Sequence, residues 1–153
     1  MEEEKEENSK EFSLAHWRQV EIAKKVCDIF IEMLLGGAEN ILQRTMENLG
    51  IVPIPYSKIS KRKKDVQELL GEYGFIFQPV NGIRTFFFNE DQSEQELWKT
   101  SWHEVGHVEL GHKQESQLAE AEADFFMECA ILLEANKEKI KEVLPMIRET
   151  KSA

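Results

Sequence analysis

The chain has 153 residues, 41% hydrophobic and 31% charged, with 29 acidic against 19 basic side chains and a formal net charge of −10. That length suits one domain with a real core and leaves too little for a second. The composition is that of a globular protein, no run reaches the roughly 18 apolar residues of a membrane span, and the negative balance opposes a phosphate backbone. Neither a membrane nor direct nucleic-acid binding is expected.

The acidic opening "MEEEKEENSKE" carries too little apolar surface to pack, so residues 1–12 are expected to be a flexible extension of a single domain over 13–153. It lacks the basic then apolar layout of a secretory signal, which makes the cytoplasm the expected compartment. From Ser13 as N-cap, Leu14, Trp17, Val20, Ala23, Cys27, Phe30, Ile31 and Leu34 fit an amphipathic helix that stops at Gly36 and Gly37. A second helix follows over about 38–49. Pro53 and Pro55 make "IVPIPYSKI" extended chain, and Ser60 caps a third helix running to Leu70. The basic cluster "KISKRKK", Lys58 to Lys64, reads as a solvated loop and helix start. Cys27 and Cys129, far apart and inside apolar helical patterns, read as buried reduced thiols.

Two aromatic, β-branched runs flank Asn81-Gly82, a dipeptide that tolerates the positive φ angles of a hairpin turn. Strands are expected near 75–79 and 84–89. The second, if it lies at a sheet edge, can accept an extended peptide by backbone pairing, while Phe86, Phe87 and Phe88 read chiefly as core. From Ser93 a helix carries Leu97, Trp98 and Trp102 to about Leu110 and breaks at Gly111. Another spans about 116–134, and a short one closes the chain. The fold class is therefore α+β: mostly helical, one domain, with a small antiparallel hairpin sheet beside the histidine-bearing helix.

Chemistry concentrates in "SWHEVGHVELGHKQESQLAEAEADFF", Ser101 to Phe126, which holds three of the four histidines. His103 and His107 stand four apart, about 400° of helix, so both imidazoles leave one face a single turn apart and can grip one ion. Glu104 follows the first histidine. In the HExxH arrangement it is no ligand but the general base beside a water that zinc activates. A catalytic zinc takes three protein ligands. His112 suits poorly: Gly111 and His112 stand eight and nine residues after His103 where the metzincin pattern has seven and ten, and nine helical residues turn about 900°. The next helix offers Glu120 and Glu122, about 200° apart, so only one can face the histidines. Glu120 is preferred, because Ala123 beside it lets the helices approach and Asp124 one turn on can bond a histidine's free nitrogen. Glu122 remains the alternative.

"HEVGHVELGH", the following "AEAEADFF", the preceding "IRTFFFNEDQSEQELWKTSW" and the upstream "NLGIVPIPYSKI" together resemble the ImmA/IrrE family of zinc-dependent peptidases over roughly 48–128. The resemblance implies a zincin-like domain with a gluzincin-like site: His103, His107 and Glu120 as Zn2+ ligands and Glu104 as general base. It also implies a protein substrate, a helix-turn-helix repressor of a mobile element or stress response, which such enzymes cleave to release transcription. After Phe126 the sequence departs from the family, reading "MECAILLEANKEKIKEVLP" where a proline-containing apolar segment is usual. A different class of function uses the same residues: a zinc-stabilised protein that sequesters a repressor without cutting it. His16, alone on the first helix, reads as a surface residue.

Overall fold

The computed structural model describes the backbone of residues 13–152 and the side chains of residues 13–146. The acidic start, expected to be flexible, lies outside the described residues. In chain order come α1 (His16–Leu35), α2 (Ile41–Asn48), β1 (Ile51–Pro55), a 3-10 turn (Tyr56–Lys58), α3 (Lys63–Leu70), β2 (Gly74–Phe77), β3 (Arg84–Phe88), α4 (Glu94–Glu109), α5 (Gln117–Ala135) and α6 (Lys137–Ser152). The fold is α+β, one mostly helical domain with a small mixed sheet. Among the described residues no helix is long and apolar enough to cross a membrane.

α1 buries Ile22, Val26, Phe30 and Leu34, one residue per turn. Trp17 and Val20, expected on that face, stand five and two residues before Ile22, about 140° and 200° of rotation away, and are 67% and 38% exposed. Ser13 is not the cap: the helix begins after Ala15, which makes no side-chain capping bond. Nor does Ser60 cap α3. Its hydroxyl accepts from the Arg62 amide at 3.1 Å and forms a turn before the helix. By contrast Ser93 and Ser116 cap α4 and α5, accepting from the Glu96 and Ala119 amides at 3.1 and 2.9 Å. The last helix, expected to be short, runs from Lys137 to Ser152.

The sheet has the order β1-β3-β2, with β2 antiparallel and β1 parallel to β3. Two sequence readings change here. The "IVPIP" segment is a ladder strand, and its Pro53 and Pro55 are compatible because β1 is an edge with bonds on one side only. The Arg84–Phe88 strand, which could accept a peptide only at a sheet edge, is central, with neighbours on both sides. The second free edge belongs to β2. Phe86 is 2% exposed and Phe88 packs beside it with ring centroids 5.7 Å apart.

The core sits between α1, α4, α5 and the sheet. Trp102, wholly buried, lies 5.3 Å from the Phe30 ring and 6.5 Å from that of Phe126. Asn89, also buried, holds the connection from β3 to α4: its side-chain amide donates to the Glu72 carbonyl at 2.9 Å and its oxygen accepts from the Asp91 amide at 3.0 Å. α4 and α5 pack closely at Gly106, where an added Cβ would lie 3.1 Å from Phe126. A glycine at that turn of α4 is what lets the two helices pack so tightly. Gly106→Val is expected to lower stability by about 1–3 kcal/mol, read as a shifted urea midpoint with an unchanged slope.

Candidate metal centre

The last two turns of α4 present His103 and His107, and the first turn of α5 presents Glu120. Their ligating atoms converge. The two Nε2 atoms are 3.1 Å apart, and the Glu120 oxygens lie 3.0 Å from His103 Nε2 and 2.9 Å from His107 Nε2. These three residues form a group that could hold a metal ion, with all donor atoms within 4.8 Å of one another. Ligands at about 2.0–2.1 Å around a tetrahedral ion stand about 3.3 Å from each other, so only tenths of an ångström separate this cluster from that spacing.

The hydrogen bonds around the imidazoles make the fit chemical as well as geometric. Asp124, one turn beyond Glu120, lies with Oδ1 2.7 Å from His103 Nδ1. A carboxylate only accepts, so Asp124 receives the Nδ1 proton of His103, which leaves Nε2, 3.0 Å from Glu120, as the ring atom that would ligate a metal. Burial first, then the neighbouring His103, pushes the His107 imidazole below its ordinary pKa and favours its neutral form. Glu120 is half exposed while the histidines are largely covered, so the group opens to solvent on the carboxylate side.

Glu104 lies beside this group in the same cleft, a cavity of about 1190 Å³ lined also by β2, His107, Glu120 and Asp124. Burial and then the Glu120 charge push its carboxyl up to about 8, against a hydrogen bond with the Ile76 backbone that acts the other way. A carboxyl so placed exchanges protons near neutrality. Ile76 belongs to β2, so the edge strand and the acid share one wall of the cleft.

Glu122 is turned from the ion-binding group. Its carboxylate receives Arg18 in a two-pronged bond, from Nε at 2.7 Å and Nη2 at 3.0 Å, and the guanidinium holds it below the ordinary carboxylate range despite its burial. His112 also stands outside the group, yet close to it. Beyond α4, Gly111 takes φ +72°, and the His112 amide donates back to the His107 carbonyl at 2.9 Å while the Gly111 amide donates to Val108 at 3.1 Å. This helix ending needs a residue free to adopt positive φ. It folds the chain back, so that His112 Nδ1 lies 2.9 Å from His107 Nδ1 and His112 Nε2 lies 2.8 Å from Glu122. Nine residues of continuous helix would set His112 opposite His103, but the chain turns sharply at Gly111, where the sequence puts the end of the helix. Gly111 was the available signal that the helix does not continue. Arg18 carried no signal at all, because it sits 104 residues from its partner.

Cys27 and Cys129 are free and half-buried, and burial raises both thiols. His16 is exposed. Compared with protein-family models, with curated proteins and with solved structures, the chain finds no match.

Replacing the half-exposed carboxylate tests the ligand set at small cost to the fold. Glu120→Ala is expected to weaken binding of a divalent ion by at least about 100-fold, measured by competition with a chromophoric chelator, with the thermal midpoint of the ion-free protein little changed.

Proposed function

We propose that this chain is a zinc-dependent endopeptidase acting on a protein substrate. The observation that carries the reading is the convergence of two imidazole Nε2 atoms and one carboxylate beside a further, half-buried acid that lines the same cleft. Two histidines and one glutamate are a donor set that suits zinc and leaves a position for the reacting groups. Zinc held by His103, His107 and Glu120 would supply Lewis acidity, lowering the pKa of a water towards about 7 and polarising the scissile carbonyl.

The chain's own residues do the rest. Glu104 takes a proton from the attacking water and returns it to the leaving amine. Asp124 fixes the His103 tautomer, and the open edge of β2 aligns an extended peptide across the cleft by backbone pairing. That role passes to β2 because β3 has no free side. The resemblance to the ImmA/IrrE family supports a helix-turn-helix repressor as substrate.

Glu104→Gln is expected to bind zinc as the parent does and to cleave at least about 100-fold more slowly. Co-expression with the candidate repressor, read by fragment mass beside metal content, checks both. Fragments appearing at the parent rate would end the mechanism. Intact repressor in a stable complex with the zinc-loaded parent would replace cleavage by sequestration.

A further inference from the structure

One arrangement is not used by ligation or by proton transfer at Glu104. Arg18, Glu122, His112 and His107 form an unbroken chain of hydrogen bonds leading from α1, through α5 and the turn after α4, to the back of an imidazole in the metal centre. Its direction follows from what each group can donate. Arg18 has no acceptor and fills both oxygens of Glu122 with donors. The Glu122 carboxylate therefore has no proton to give, and at 2.8 Å it must receive one from His112 Nε2. A neutral imidazole that donates at Nε2 accepts at Nδ1. The 2.9 Å contact between His112 Nδ1 and His107 Nδ1 is then a donation from His107, which reserves Nε2, the atom 3.1 Å from His103 and 2.9 Å from Glu120, for a metal.

We infer that His112, Glu122 and Arg18 are positioning residues that lock His107 in the tautomer and orientation a metal requires, as Asp124 does for His103. The two ligand histidines are thus held by different devices: one by a direct carboxylate on the helix that supplies the third ligand, the other by a relay ending in a guanidinium. The side chains are built for this task. His112 and Glu122 are only 12% and 10% exposed, and their hydrogen-bonding atoms are spent on each other, His107 and Arg18. Neither residue belongs to the group that could hold the ion. The relay also ties the metal centre to α1, so the position of the first helix bears on ion affinity. This inference rests on the zinc-centre reading, and its test separates the two.

The experiment pairs zinc affinity, measured with zinc alone against a chromophoric chelator, with 15N–1H correlation of the histidine rings in the zinc-free protein at mildly alkaline pH. The parent is expected to carry the His107 proton on Nδ1. His112→Ala is expected to bind zinc about 10–100-fold more weakly and to show a mixture of His107 tautomers. His112→Asn places an amide oxygen near the Nδ1 position and is expected to recover most of the affinity and the single tautomer, which a purely structural role for the ring would not predict. His112→Ala combined with Glu122→Leu is expected to lose little more than His112→Ala alone, since both cut one chain. A His107 proton found on Nε2 in the parent overturns the relay whether or not any variant folds. So does a His112→Ala protein that binds zinc within about twofold of the parent. A parent that takes up no zinc while showing the expected tautomer overturns the metal centre instead, and with it the purpose assigned to the relay.

Discussion

Three donor groups face one another across about 3 Å at the junction of α4 and α5: Nε2 of His103, Nε2 of His107 and the Glu120 carboxylate. The Nδ1 atoms of the two rings turn away, to Asp124 and His112. Protons can bridge the group as hydrogen bonds, and a cation at its centre would take their place with a bond to each donor. The rest of the structure is arranged to impose this convergence. Gly106 lets α4 and α5 close on each other, and buried Ala119 and Ala123 keep the α5 face small beside Glu120. Trp102, between Phe30 and Phe126, anchors the turn of α4 from which His103 projects.

The sheet serves the same centre from the other side. β3 is enclosed by β1 and β2, so among the described residues the sheet edge that lines the cleft is β2, whose Ile76 backbone meets Glu104. One short strand thereby contacts the acid and lines the cleft. The sign of the Glu104 shift reflects the same enclosure: water is excluded and a like charge stands nearby, so the protonated form gains.

Much of this was legible in the residues, for physical reasons. Helical spacing is rigid enough that His103 and His107 had to share a face, and the 200° between Glu120 and Glu122 had to send them to different neighbours. Serines before α4 and α5 marked where those helices start. What could not be read was whatever depends on distant partners or on a break in periodicity. β1 looked like unpaired extended chain, because proline speaks against a ladder except at an edge and edge status is a property of the whole sheet. The buried face of α1 was misjudged, since Trp17 and Val20 are apolar yet stand on the wrong side of Ile22. The break at Gly111 was legible, but not where the turn would carry His112, and Arg18 became meaningful only once α1 lay against α5.

X-ray absorption at the zinc edge, on protein purified without added metal, addresses the convergence most directly. The account predicts about one zinc per chain with two imidazoles and a carboxylate oxygen at about 2.0–2.2 Å. Protein that neither carries zinc nor takes it up, or zinc bound to sulfur at about 2.3 Å through Cys27 or Cys129, would contradict it.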